Sequence, residues 1–358
     1  MLPNENIKHL SPYVSIPHEV WNIKEQNDIL KLDWNEASVQ PSPKVYESIG
    51  DFLKKGCLNW YPNTHNVALL DKIAKYAEQD DYSYVQLFAS SDAAHENIID
   101  VFLNKTSRVC LISPTYDNFR ARANGVGVDT IKFYLDDNFL LDFDQLDFFI
   151  IDKCIDFVYL CNPNNPTGLC YNAEKLENII LKHTHTMFLI DEAYYEFCGV
   201  SVAHLVKKCK NLIITRTFSK AFALASFRIG YIISHRENIE YIDKLRNSKS
   251  ISMISQIAAM AALSDLDYTM KYVYEVNLAK KEFVNKLLNI SLYVYKNSFA
   301  NFVLIKSKDA NAMVEYLKKN NIFIRNYCHL IPDHYRITIG TREQMNFLYD
   351  KMERFYAK

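Results

Sequence analysis

A mostly parallel seven-stranded α/β sheet between helices, followed by a smaller α+β lobe, is the architecture this sequence predicts. Three observations carry that reading. Between Tyr84 and Ser234 short apolar runs alternate with helical patterns, the texture of parallel strands covered on both faces. Past Arg236 the alternation stops; long helical patterns come first and strand candidates after them. The chain has 358 residues, 49% of them hydrophobic and 23% charged, which is enough for a large domain and a second lobe.

In chain order, Pro3, Pro12 and Pro17 break periodicity in the first 31 residues, which read as an arm ending in a strand-like run at 28–32. Pro43 suits the first turn of a helix that runs to about Lys55 and is closed by Gly56. The loop C-L-N-W-Y-P-N-T-H then leads into an amphipathic helix over 67–77. Strands are predicted at 85–89, 108–113, 130–134, 157–161, 187–190, 212–215 and 229–234, with helices near 93–103, 117–124 and 173–183. The lobe should hold a helix near 267–288, strands at 292–295, 302–306 and 335–339, and a terminal helix. The expected division is an arm at 1–40 partly joining the small lobe, a large domain at 41–246 and a small domain at 247–358, with the boundary in K-L-R-N-S-K-S.

Composition excludes several classes. Forty-one basic residues balance forty-two acidic ones, for a net charge of -1, so no electrostatic footprint for nucleic acid is present. Eight cysteines contain no C-x-x-C pair, which argues against a zinc or redox motif, and no metal site is expected. The opening M-L-P-N-E-N-I-K-H-L lacks an apolar core and no apolar run approaches the roughly 20 residues that span a bilayer. A cytoplasmic protein with reduced thiols and no membrane association is expected. Glycine is scarce, at 8 residues.

Ligands of open α/β sheets bind outside the carboxyl ends of strands, and the motifs of interest fall there. T-F-S-K-A-F-A-L-A-S-F-R follows the strand at 212–215 and carries Ser219, Lys220 and Arg228. Charges held close to a core strand need covalent or anionic partners; a solvated loop lysine is the alternative. F-V-Y-L-C runs into N-P-N-N-P-T-G, a rigid turn that holds Asn165 or is simply a turn. M-F-L-I runs into D-E-A-Y, placing Asp191 at a strand end and Tyr194 just beyond; a plain cap is the other reading. V-Q-L-F-A runs into Ser90, Ser91 and Asp92, which open a helix whose first amides form either a phosphate cup or an ordinary cap. R-V-C-L-I-S-P-T-Y places Tyr116 after a strand, as a ligand contact or a core aromatic.

Taken together these residues supply what pyridoxal 5'-phosphate requires. Lys220 serves the Schiff base and Asp191 faces the pyridine nitrogen. Asn165 and Tyr194 serve the phenolic oxygen, and Ser91, Asp92, Ser219 and Arg228 the phosphate.

The stretches N-P-N-N-P-T-G, D-E-A-Y, S-K-A-F-A-L-A-x-x-R and Y-R-I-T-I-G-T-R-E, with K-L-D-W-N-E near residue 31 and N-W-Y-P near 59, resemble histidinol-phosphate aminotransferases. These belong to the pyridoxal-phosphate-dependent fold type I, class-II aminotransferases. The resemblance implies transfer of an amino group from glutamate to a small phosphorylated ketone or aldehyde, with Lys220 exchanging with the donor amine and then moving the proton. It implies that Tyr116 stacks on the cofactor ring and that Arg336 grips the substrate's anionic group. Arg325 assists Arg336 or is a surface strand residue, Asn35 lies at the substrate, and Arg342 caps the last helix. It also implies a homodimer in which Tyr61 reaches the cofactor phosphate of the neighbouring subunit.

Relatives often carry glycine where this chain has Ser90, Asp117 and Ser226, and losing glycine costs left-handed backbone freedom. After Asn35 and Glu36 the family continues with Asn-Pro, whereas Ala37 and Ser38 follow here. A smaller amino-alcohol phosphate, such as serinol phosphate made from dihydroxyacetone phosphate, therefore stands beside histidinol phosphate as the expected substrate. Decarboxylation of a phosphorylated amino acid is the alternative reaction, since threonine-phosphate decarboxylases resemble this family. A DNA-bound sensor is not expected, because the arm is too short for a helix-turn-helix module.

Overall fold

The computed structural model describes residues 4–13, 19–23 and 29–357; Pro3, Pro17 and Asp28 of the expected arm lie outside them. The strands are β1 (Leu30–Leu32), β2 (Val85–Phe88), β3 (Arg108–Ser113), β4 (Asp129–Tyr134), β5 (Phe157–Cys161), β6 (Met187–Asp191), β7 (Leu212–Thr217), β8 (Gly230–Ser234), β9 (Tyr293–Val294), β10 (Phe302–Lys306), β11 (Ile322–Asn326) and β12 (His334–Thr338). The helices of the first part are α1 (Glu5–Lys8), α2 (Pro43–Lys55), α3 (Val67–Tyr76), α4 (Ser91–Phe102), α5 (Asn118–Gly125), α6 (Phe143–Asp152), α7 (Ala173–Lys182) and α8 (Tyr195–Cys198). Then follow α9 (Arg236–Asp243), α10 (Met253–Leu263), α11 (Leu266–Asn289), α12 (Ala310–Lys318) and α13 (Arg342–Tyr356).

Two sheets result. The larger has the order β2-β8-β7-β6-β5-β3-β4. All its strands run parallel except β8, which is antiparallel to both β7 and β2. Both faces are covered, one by α2, α3, α6, α7 and α10 and the other by α4, α5 and α9, so β5, β7 and β8 are buried along their whole length. That is why these strands read as unbroken apolar runs rather than alternating ones. The smaller sheet has the order β1-β11-β12-β10-β9. Its core is closed by α11, α12 and α13 through Val276, Phe283, Met313, Leu317, Leu348 and Met352. The arm enters it through β1, which lies parallel to β11.

Most element ends follow local chemistry. Ser42 caps α2 ahead of Pro43, and Gly56 ends it at φ 87°, where a side chain would be strained. Thr341 and Gln344 close α13 with a capping box. Arg342 was the expected cap; instead its guanidinium pairs with Glu275 at 2.9 Å and Glu282 at 3.7 Å on α11. Helices α1, α6, α8, α9, α10 and α12 and strand β11 were not among the predicted elements. The reason is clearest for α10, whose M-I-S-Q-I-A-A-M-A-A-L is mostly buried and shows no polar face to set a period. In α6 the outward Phe148 and Ile151 are exposed, which blurs the stripe. Past residue 246 the chain still packs on the large sheet: Ala258, Ala259 and Ala262 of α10 lie in its core with Leu69 and Ile73 of α3.

The three positions that lack the family's glycine behave differently. Asp117 has φ -91° and grips Arg120 through two 2.6 Å bonds, so no left-handed residue is needed there. In the loop carrying Ser226 the left-handed residues are Ala223 at φ 58° and Arg228 at φ 48°. Ser90 is the strained one, at φ 131° and ψ 166°, a region that essentially only glycine enters freely. It is held there because Ser90 caps α4 through Ala93 N at 3.1 Å while β8 passes directly beneath. A Cβ on Gly230 would stand 2.8 Å from Ser91 N. Among the described residues no helix is long and apolar enough to cross a membrane.

Ser90→Gly should stabilise the protein by about 1 kcal/mol, the relief of strain exceeding the weakened cap and the freer unfolded chain. Asp117→Gly should destabilise it by about 1 kcal/mol, since it removes the Arg120 pair from a position without strain. Denaturant unfolding of the two variants beside the parent checks both signs.

Candidate active site

The carboxyl ends of β5, β6 and β7 lie side by side and open into a cavity of about 760 Å³. The sheet contributes the loop after β5, the end of β6 and the loop after β7. The arm contributes Asp33 to Glu36, and the small sheet contributes Arg325, Tyr327 and Arg336.

Asp191 is the last residue of β6 and is only 4% exposed. Strand alternation turns Asp191 to the cavity and Glu192 to the opposite side, where Glu192 pairs with the buried Arg216 at 2.8 Å. Burial raises the Asp191 pKa; His95, the Tyr159 hydroxyl and the Ala193 amide pull it back, while Asp92 adds to the rise. Tyr159 OH donates to Oδ2 at 3.2 Å and the Ala193 amide to Oδ1 at 3.1 Å.

Lys220, three residues beyond β7, points its Nζ into the cavity and donates to the Trp34 carbonyl at 2.9 Å. Burial pushes its pKa down to about 8, Arg336 and Lys31 act in the same direction, and Glu36 and Asp92 oppose them. The uncharged, nucleophilic form of this amine is therefore more populated near neutral pH than for an ordinary lysine.

Tyr194 receives a hydrogen bond on its hydroxyl from Asn35 Nδ2 at 2.8 Å. Burial raises the Tyr194 pKa, and Arg336 opposes that rise. Asn165 Oδ1 accepts from Arg336 Nη1 at 2.6 Å and from Tyr327 OH at 3.2 Å. Arg336 also donates through Nη2 to Asp33 O at 2.7 Å, while its buried Nε has no hydrogen-bond partner among the described residues. That orphaned donor in the cavity wall is suited to an anionic ligand. Arg325 is its register partner on β11 and lines the same cavity.

At the other end of the cavity, α4 presents Ser91 and Asp92 in its first turn, where helix amides lack intrahelical acceptors. Arg228 Nη1 reaches Ser219 Oγ at 3.4 Å and its Nη2 stands 3.8 Å from Asp92 Oδ2. Tyr116 OH donates to Asp92 Oδ1 at 3.0 Å. Amides, a hydroxyl and a half-exposed guanidinium make an anion-binding corner.

The structure thus brings Lys220, Asp191, Tyr194, Asn165, Ser91, Asp92, Ser219, Arg228, Tyr116, Arg325 and Arg336 around one cavity. Asn35 also borders it, yet it is fully buried. It donates from Nδ2 to Tyr194 and accepts at Oδ1 from Thr338 Oγ1 at 3.1 Å, so it supports Tyr194 from the cavity wall. Tyr61 is not brought in: it is 80% exposed, with Lys249 Nζ 5.0 Å above its ring. Missed by the sequence reading were Trp34, Lys31, Glu36, Tyr327, His95 and Tyr159. Lys31, Trp34 and Glu36 lay inside the K-L-D-W-N-E stretch without being given a role, and His95 stood out as a polar residue on the apolar stripe Ala94, Ile98, Ile99; Tyr327 enters only through tertiary contact.

Comparison with known proteins places this geometry. The sequence model of the family described as aminotransferase class I and II matches residues 27–352, and the chain belongs to that family. A dihydroxyacetone phosphate transaminase from Campylobacter jejuni is 59% identical over 361 residues, covering 100% of this chain and 98% of the relative. A histidinol-phosphate aminotransferase from Ruminiclostridium cellulolyticum is 31% identical, covering 93% of this chain and 94% of the relative. The fold is that of the crystal structure of the Sinorhizobium meliloti histidinol-phosphate aminotransferase in complex with pyridoxal-5'-phosphate, at a TM-score of 0.89, 24% identity and coverage of 99% and 97%. The chain is a pyridoxal 5'-phosphate-dependent aminotransferase. Its residues fit that cofactor: a buried carboxylate, a lysine with depressed pKa, and an anion corner at a helix N-terminus face one another across the cavity.

Uptake of pyridoxal 5'-phosphate by the apoprotein should accelerate as pH rises through about 8, because the amine loses its proton over that range. Borohydride should fix the cofactor to the parent protein and not to Lys220→Ala. Stopped-flow absorbance and mass spectrometry measure the two.

Proposed function

We propose that this enzyme moves an amino group between glutamate and a small phosphorylated ketone, and that dihydroxyacetone phosphate is its acceptor, giving serinol phosphate. The observation that carries the acceptor is 59% identity along the whole chain to a dihydroxyacetone phosphate transaminase. The departure at Ala37 and Ser38 from the Asn-Pro of histidinol-phosphate enzymes agrees with it. No observation favours decarboxylation.

The cofactor, when bound, supplies a carbonyl for amine exchange and a ring that stabilises negative charge on the substrate carbon. The side chains have separate tasks. Lys220 Nζ would hold the cofactor covalently and, once freed by the donor amine, would take and return the proton of the substrate carbon, a role its depressed pKa suits. Asp191 would set its carboxylate opposite the ring nitrogen. Tyr194 and Asn165 would orient the phenolic oxygen, and Asn35 holds Tyr194 in place. Tyr116 would pack on the ring. Ser91, Asp92, Ser219 and Arg228 form the phosphate corner. Arg336, with Arg325 behind it, receives the carboxylate of the donor and the phosphate of the acceptor in turn, through the planar fork that matches both.

The dimer belongs to the same reading. Leu58, Trp60 and Tyr61 are exposed together on one loop, more apolar surface than one short loop ordinarily shows to water. A second subunit would cover it and receive Tyr61 at its phosphate corner. A cytoplasmic location belongs to the same reading, with the balanced charge giving no electrostatic footprint for nucleic acid.

The pyridoxamine form should regain its original visible spectrum with dihydroxyacetone phosphate at least tenfold faster than with imidazole acetol phosphate; the opposite order overturns the assignment. Arg336→Lys should raise KM for both substrates by about tenfold or more, since a point charge replaces a fork. Sedimentation should show a dimer, and Tyr61→Phe should weaken cofactor retention by about tenfold, the loss of one hydrogen bond to a charged phosphate.

A further inference from the structure

Behind Asp191, among residues that do not line the cavity, lies a histidine to which the mechanism above gives no task. His95 projects from α4 and is 1% exposed. Its Nε2 is 3.0 Å from Thr215 Oγ1 and 3.8 Å from Asp191 Oδ2. The ring is clamped edge-on between Phe119 and Tyr159, at centroid separations of 5.9 and 5.5 Å, and Phe119 and Tyr159 stack on each other at 4.4 Å. Nδ1 has no hydrogen-bond partner among the described residues.

A histidine serving only to fill this slot is a poor choice. An unpartnered buried polar atom costs about 1–3 kcal/mol, and a leucine would fill the same aromatic clamp without that cost. The geometry rewards an imidazole at one point, the contact of Nε2 with the Asp191 side. With Nδ1 unpartnered, the tautomer that suits the site carries its proton on Nε2, directed at Thr215 Oγ1 at 3.0 Å, with Asp191 Oδ2 standing 3.8 Å from the same nitrogen. Oδ2 then has three inner neighbours: His95 from α4, and Tyr159 OH at 3.2 Å and Cys161 Sγ at 3.9 Å from β5. Among the titratable groups facing Asp191, burial keeps Tyr159, Cys161, Tyr116 and Tyr194 neutral. Asp92 opposes the Asp191 charge.

We propose that His95 is a positioning residue of this enzyme: anchored on Thr215, it sets the polar edge of its ring 3.8 Å from Oδ2 and so keeps Asp191 anionic and aimed at the cofactor's ring nitrogen. The inference rests on Asp191 being the partner of that nitrogen. An anionic Asp191 keeps the ring nitrogen protonated, which lowers the basicity of the lysine–cofactor linkage. Weakening Asp191 raises it.

The test reconstitutes the full-length enzyme with pyridoxal 5'-phosphate and follows the visible absorbance of the bound cofactor against pH. His95→Leu removes the polar atom. His95→Gln returns an amide nitrogen to the place of Nε2. The Leu variant should move the spectral midpoint upward by about one pH unit. It should also slow the glutamate half-reaction by about 10–100-fold with KM within about threefold, and the Gln variant should recover both. If the Leu variant does not fold, His95→Asn, whose shorter amide does not reach Oδ2, takes its place with the same expected shift. An unmoved midpoint in the Leu or Asn variant overturns the proposal, as does a Gln variant that behaves like Leu. Asp191→Asn separates the two levels: if it leaves the midpoint in place, the assignment of Asp191 itself fails. If it moves the midpoint and His95→Leu does not, only the role of His95 fails.

Discussion

A carboxylate removed from water is the constraint around which this molecule is arranged. Asp191 is 4% exposed at the end of a central strand, and a buried charge persists only when it is paired or richly hydrogen-bonded. The large sheet supplies the partners by topology. Parallel pairing of β6 with β5 and β7 sets Cys161 and Thr215 level with Asp191. Their carboxyl ends consequently deliver the Asn165 turn and the Lys220 loop to the same edge. The helix α4 lies across that edge and sends His95 under the carboxylate and Asp92 beside it. One strand order therefore determines which groups face one another.

The second dependence is between the lobes. Neither sheet holds a complete site. Arg336 of β12 donates to Asn165 of the large domain at 2.6 Å and to Asp33 O of the arm at 2.7 Å. Asn35 of the arm ties Tyr194 to Thr338. Lys220 reaches back to the Trp34 carbonyl. The arm thus ties the two packed bodies together at the site through hydrogen bonds. Ser90, strained beneath the anion corner, shows a cost accepted close to the chemistry, where backbone placement matters more than local ease.

Much of this was legible in the residues. The seven strands of the large sheet lie within two residues of their expected bounds, because runs such as F-V-Y-L-C and L-I-I-T are buried on both faces and leave no ambiguity of period. Lys220, Asp191 and Asn165 stood out because turn chemistry places them at strand ends, where an α/β sheet binds ligands. Less was legible where periodicity fails: α10 is apolar nearly all round, and β11, I-F-I-R-N, shows no period-two alternation. The family's glycine pattern was a partial guide. It pointed to three positions, of which the backbone shows strain at Ser90 alone, since φ depends on how the chain is held and not on the residue that relatives carry.

The sequence by itself determined the sheet, the order of its motifs and the cofactor, because each is written in local periodicity and in the residue types that end strands. Only the tertiary structure decided that Asn35 supports Tyr194, that Arg342 pairs with α11, that Tyr61 stands outside its own chain's cavity and that His95 lies under Asp191. Those are relations between residues tens to hundreds of positions apart. Packing of one element against another sets them, and no local pattern records that packing.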